Sequence, residues 1–158
     1  MNVRTVLSFD CAVFSDVMNT NLMGVLTFVS EIQRRGIKSR HILAVSSCAN
    51  FVANPYYLGY HLSKVNLHRA FRIFAGKDQT NRYKIVVLGP VNTKMTKNIS
   101  LTGVNRFIFS ILAVSPVQIA RALGSFVESK KLVLYYPYDE ALVYIVARLV
   151  LAVFPRLY

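Results

Sequence analysis

Acidic residues are scarce in this chain. Asp and Glu number seven against nineteen Lys and Arg, and the net charge is +12. Such a balance suits nucleic acid, an anionic membrane face, or an anionic cofactor or substrate. The cations stand singly or in pairs such as Arg34-Arg35 and Lys130-Lys131, with no arginine-rich arm, so no nucleic acid is expected as a partner. Cysteine is nearly missing as well. Cys11 and Cys48 form no CxxC pair and no disulfide framework, which fits a reducing, cytoplasmic compartment. His41, His61 and His68 lack metal-ligand spacing, so no metal site is expected. The seven glycines are scattered and make neither GxxxGxG nor GxGxxG, the turns that hold a pyrophosphate at a helix N-terminus. The first residues offer only short apolar runs broken by Asp10 and Asp16, a poor signal peptide.

What the chain does have is apolar residues. They make up 54% of 158 positions, which argues against disorder and for one domain with a real core. Over residues 15–35, Val17, Leu22, Val25, Leu26, Val29 and Ile32 recur at helical spacing, and Gly36 follows. Residues 41–46 (HILAVS) read as a buried strand, 59–75 as a second helix, and 83–89 (YKIVVLG) as a second buried strand. One or two short helices are expected over 99–113. Ser115-Pro116 then opens a helix to about Glu128, with Ser as N-cap and Pro at the first helical position. Residues 131–137 (KLVLYYP) make a third strand, and an apolar helix is expected over 139–154. Strands alternating with helices predict an α/β fold, a partial Rossmann-like doubly wound parallel sheet of about three strands with helices on both faces.

On this frame, Ser46 and Ser47 fall at the C-terminal end of a strand, where open α/β sheets bind ligands. Tyr60 and Lys64 lie four apart on the next helix and share a face. A tyrosine hydroxyl is a poor acid or base at neutral pH, since its reference pKa is about 10, and a neighbouring ammonium favours the phenolate. With a serine hydroxyl to hold a carbonyl oxygen, the group could pass a proton to or from a substrate oxygen. The same residues could equally be an ordinary loop and helix. Two further signals join them: Asn21 three before Gly24 on the preceding helix, and LGPVNTKM after the second strand.

In these residues the chain resembles the short-chain dehydrogenase/reductase family. That family carries Asn-x-x-Gly on a helix, Ser at the end of the next strand, Tyr-x-x-x-Lys at the spacing seen here, and a Pro-Gly-Pro-Val-x-Thr loop after the following strand. Asn21, Ser47, Tyr60 and Lys64 match the catalytic four in order, and Ser63 fits the usual Ser-Lys pair. Gly89, Pro90, Val91 and Thr93 match the loop, with Leu88 in place of its first proline.

The resemblance, from about Phe14 onward, implies roles. Tyr60 would be the general acid/base, and Lys64 would support it and hold the nicotinamide ribose. Ser47 would orient the substrate carbonyl, and Asn21 would fix a water linked to Lys64. The loop from Gly89 to Thr93 would lie beside the nicotinamide of NAD or NADP. The implied enzyme is an NAD(P)-dependent oxidoreductase acting reversibly on a carbonyl or alcohol. The family's glycine-rich first half has no counterpart here, so 1–158 is expected to be a single truncated domain that needs more than itself for activity. The alternative is a non-catalytic fragment acting as a membrane-associated or dimerising module. A homodimer through the helices at 15–35 and 59–75 belongs to the same implication. The apolar stretch 141–154 suggests a lipid-like or lipid-linked substrate, or peripheral contact with a membrane.

Overall fold

The computed structural model describes residues 10–38, 41–48, 58–94, 113–137, 139 and 142. The helices expected over 99–113 and 139–154 fall almost wholly outside these residues.

The first helical stretch begins earlier than its apolar periodicity suggests. Asp10 caps it: Oδ1 accepts from the backbone N–H of Ala12 (2.9 Å) and Val13 (3.2 Å). Helix α1 spans Cys11–Met18, a π-helical segment follows at Asn19–Met23, and α2 spans Gly24–Arg34. Gly36, at φ 63°, ends α2 in the left-handed region, and the Ile37 N–H reaches back to Ile32 O at 3.0 Å. Strand β1 is Ile42–Ser47, helix α3 Leu58–Lys77 and strand β2 Tyr83–Leu88. Helix α4 is Pro116–Glu128 and strand β3 Val133–Tyr136. The start of α4 is a full capping box: Ser115 Oγ accepts from Gln118 N, and the Gln118 side chain accepts from Ser115 N.

The strands form one parallel sheet in the order β1-β2-β3. The predicted α/β parallel sheet is thus the observed fold. Alternation along each strand sorts the side chains. Ile42 and Ala44 of β1, with Tyr83, Ile85 and Val87 of β2, meet Leu22, Val29, Leu67 and Phe71 from α2 and α3 and the segment before α2 in the main core. Phe71, Phe74 and Tyr83 stack edge-on and tilted at 5.3–5.9 Å between centroids. Lys84 and Val86 point to the opposite face, where α4 lies. Central strand β2 is therefore buried on both sides, as its near-continuous apolar run demands.

Lys84 is the exception in that run, and it is 4% exposed. Its Nζ donates to three carbonyls, Phe126 O (3.0 Å), Ser129 O (2.7 Å) and Lys131 O (2.9 Å), and lies 4.5 Å from the Phe126 ring centre. These carbonyls belong to the last turn of α4 and the turn into β3, the negative end of the helix dipole. Burial pulls its pKa below the ordinary lysine value, while the three acceptors hold the ammonium. Lys84→Met keeps the stem and removes the donor that these carbonyls share. The expected cost is about 2–4 kcal/mol, read as a lower urea midpoint.

At the opposite, N-terminal end of the sheet, Asp78 gathers donors. It accepts from Tyr83 Oη (2.7 Å), Gln33 Nε2 (3.2 Å), Asn81 Nδ2 (3.1 Å) and the backbone N–H of Thr80 (2.8 Å) and Asn81 (3.3 Å). Tyr83 and the other donors hold the Asp78 carboxyl well below the usual carboxylate range. Burial, then Asp78 itself, push Tyr83 up to about 12. The signs are opposite. The depressed carboxylate stabilises the fold above about pH 4 and loses that contribution as pH falls. The raised phenol stabilises it below about pH 10 and loses that contribution as pH climbs toward 12. Urea midpoints should fall at both extremes, and Tyr83→Phe should flatten the alkaline fall and weaken the acid one.

Candidate active site

Parallel pairing brings the C-terminal ends of all three strands to one edge. Ser47 pairs in register with Leu88, and Leu88 with Tyr136. The candidate loop leaves β2 from that edge and stays tied to the sheet. Gly89 N–H donates to Tyr136 O at 2.8 Å, Val91 bridges Val114 in parallel, Asn92 N–H reaches Val114 O at 2.9 Å, and Val114 N–H reaches Pro90 O at 3.0 Å. Gly89, Pro90, Val91 and Thr93 thus sit on a backbone held beside the ends of β1 and β3.

Tyr60 lies in the first turn of α3, and Lys64 one turn on. The Lys64 Nζ is 5.6 Å from the centre of the Tyr60 ring, inside the range of a cation–π contact. Burial pulls the Lys64 ammonium below the ordinary lysine value. Its hydrogen bond goes to a backbone group, Val45 O, at 3.1 Å. Between the two, Ser63 is fully buried and donates its Oγ proton to Tyr60 O at 2.7 Å.

Asn21 comes to this helix from the other side. It sits in the π-helical segment, and its Nδ2 lies 3.5 Å from Ser63 Oγ, the outer limit of a hydrogen bond. The bond goes to Lys64's neighbour in sequence. The docking of α1 on α3 that permits it is close at Gly59, where a Cβ would meet Phe14 Cδ2 at 3.2 Å. A wide helical turn at such a place is a common mark of a functional site.

The two serines part company. Ser46 is 2% exposed and faces α3, donating Oγ–H to Lys64 O at 3.3 Å. Ser47, the last residue of β1, points to the other side of the strand by alternation. The connection 49–57 between Ser47 and Tyr60 lies outside the described residues. Cys48 follows Ser47, and burial pushes its thiol up, away from thiolate chemistry.

The structure therefore sets Tyr60, Ser63 and Lys64 on α3, with Asn21 reaching Ser63 from the π-helical segment. It sets Ser47 and the loop from Gly89 to Thr93 along the sheet edge. Sequence reasoning missed Ser46 as the tie between β1 and α3, although strand alternation separates adjacent serines. It missed the π-helical segment and the Val45 carbonyl, for which no side chain carries a signal.

The assembly of parallel sheet, edge loop and flanking helices has known counterparts. The chain has a short-chain dehydrogenase fold. A short-chain dehydrogenase from Burkholderia cenocepacia, solved in complex with NADP, superposes with a TM-score of 0.65 over 99% of this chain, at 18% identity. A short-chain dehydrogenase from Streptomyces avermitilis superposes with a TM-score of 0.62 over 98% of it, at 15% identity. The chain spans 64% and 65% of their respective lengths. No family model and no curated protein matches the sequence. Among the described residues, no group of His, Cys, Asp and Glu could hold a metal ion.

Proposed function

We propose that the chain carries the proton-transfer half of an NAD(P)-dependent carbonyl/alcohol oxidoreductase. The observation that carries this reading is the Tyr60–Lys64 pair, 5.6 Å from ammonium to ring centre, at the end of a short-chain dehydrogenase fold. The residues present suit one end of a nicotinamide cofactor. Lys64 offers donors for ribose hydroxyls, and the backbone from Gly89 to Thr93 offers a wall for the ring. They do not suit the pyrophosphate, because the sequence has no glycine-rich turn to cradle it. When bound, the cofactor supplies or accepts the hydride at the carbonyl carbon.

The chain's own part is the proton. Tyr60 gives a proton to the carbonyl oxygen in reduction and takes it back in oxidation. Lys64 places positive charge beside Tyr60. Burial lowers its pKa, and Val45 O accepts its hydrogen bond. Ser47 orients the substrate oxygen from the end of β1. Asn21 acts through Ser63, holding the turn that carries Tyr60. The apolar residues 141–154 extend the reading to a lipid-like substrate and to peripheral membrane contact from the cytoplasm.

A second reading is a non-catalytic pairing module. It is favoured by Val13, Met23, Phe28 and Ile73, large apolar residues exposed on α1, α2, α3 and the segment between α1 and α2. A homodimer would cover them. The helical stretch Cys11–Arg34 is also long and apolar enough to cross a membrane, a test that a core helix passes too. Leu22 and Val29 place its inner side in the core.

The two readings separate in one assay. Hydride transfer from NADH or NADPH to a panel of ketones and aldehydes is followed in an assembly that supplies a glycine-rich nucleotide-binding segment. Tyr60→Phe should lower turnover roughly 10²–10⁴-fold with unchanged thermal unfolding. Full turnover in Tyr60→Phe would remove the catalytic reading.

A further inference from the structure

The helical stretch Cys11–Arg34 runs alongside α3. Phe14 lies against Gly59 at one end, and Gln33 reaches Asp78, just past α3, at the other. Gln33 and Asp78 stand 45 residues apart in sequence, as Phe14 and Gly59 do. The two stretches are therefore parallel and level at both ends. Counting back equally from the Gln33 and Asp78 end sets Phe28 level with Ile73. Their neighbours Val29 and Phe71 are 1% exposed in the core, whereas Phe28 is 63% and Ile73 62% exposed. Two large apolar side chains thus stand at one level on the outside of this helical layer.

The charge around them has one sign. Arg69 and Lys77 stand about one helical turn before and after Ile73, on its side of α3, and both are exposed. Arg72, next to Ile73, is exposed as well, and its Nε donates to His68 Nε2 at 2.9 Å. The 20 residues of α3 include no Asp or Glu. On α2 the acid is Glu31, and Arg34 and Arg35 both hold it, so that cluster is net positive too.

We propose that the outer face of α2 and α3 lies on a bilayer bearing anionic lipid. Phe28 and Ile73 enter the acyl boundary, and Arg69, Arg72 and Lys77 sit at the level of the lipid phosphates. A net charge of +12 draws the chain to an anionic surface, and on α3 no carboxylate answers the cations. Exposed apolar side chains flanked by Lys and Arg are what an interfacial helix presents to lipid. A nucleic acid would use the cations and leave Phe28 and Ile73 in water. A second copy fits less well. A two-fold axis through this face sets Arg69, Arg72 and Lys77 against the same residues of the copy, with no acid on α3 to receive them. Docking through α2 and α3 requires neither residues 141–154 nor catalysis by Tyr60.

The sequence has no tryptophan, so Phe28→Trp gives a single reporter on this face. Val117→Trp, at a residue 60% exposed on α4, gives one on the opposite face of the sheet. Each variant of the full chain is titrated with vesicles of phosphatidylcholine alone and of phosphatidylcholine with phosphatidylglycerol. With the anionic vesicles only, Phe28→Trp emission should shift to the blue and be quenched by brominated acyl chains. Val117→Trp emission should stay as it is in buffer. Arg69→Gln with Lys77→Gln should weaken co-sedimentation with the anionic vesicles roughly tenfold or more, through two lost surface charges. Phe28→Ser with Ile73→Ser should weaken it as well and leave thermal unfolding unchanged, since both side chains stand in solvent. No binding to anionic vesicles would overturn the proposal. Binding that survives both pairs of changes, or a blue shift at Val117→Trp instead of Phe28→Trp, would place the contact elsewhere in the chain and also overturn it. A dimer in lipid-free buffer that Phe28→Ser with Ile73→Ser dissociates would assign the face to a second copy. Binding to duplex DNA but not to vesicles, lost on changing Arg69 and Lys77 alone, would assign it to nucleic acid.

Discussion

The burial of β2 on both faces is the constraint on which the rest depends. Ile85, Val86 and Val87 are all but inaccessible to solvent, so each face needs its own helical cover. Alpha-helices 2 and 3 cover one face and α4 the other. A strand so placed must also pair on both edges, because its backbone groups have no water to turn to. Both partners are parallel, and this aligns the three strand ends along one edge. Ser47 and the loop from Gly89 to Thr93 are neighbours for that reason alone.

A charged residue secures this apolar strand to its outer layer. Lys84 crosses from β2 to the last turn of α4 and donates to three carbonyls there and in the turn into β3. Its three bonds fix where α4 ends and where β3 begins. Lys64 does something comparable on the other side, but with a single carbonyl at the sheet's outer edge. Three carbonyls hold the Lys84 ammonium, while Val45 O accepts from Lys64.

Parts of the site were legible in the sequence because they rest on short-range rules. Tyr60 and Lys64 meet because four residues are close to one helical turn. Ser115-Pro116 caps α4 because the cap needs only local atoms. The strand at Tyr83–Leu88 was visible as an apolar run. The beginning of α1 was less so, since Asp10 reads as a break in an apolar stretch and acts as a cap. Asn21 was picked out by its spacing to Gly24, yet its hydrogen-bonding partner, Ser63, is forty-two residues away.

By itself, then, the sequence determined the three strands, their order and the helix that carries Tyr60 and Lys64. Hydrophobic period and capping chemistry act over a few residues and leave their mark in the residue types. Only the tertiary structure decided that Ser46 rather than Ser47 faces α3, that Lys84 joins β2 to α4, and that the Lys64 ammonium rests on Val45 O. Those outcomes depend on strand register, on a π-helical turn and on which backbone carbonyls lack partners. Such carbonyls are identical in every residue, so no one-dimensional pattern distinguishes the one that a lysine will find.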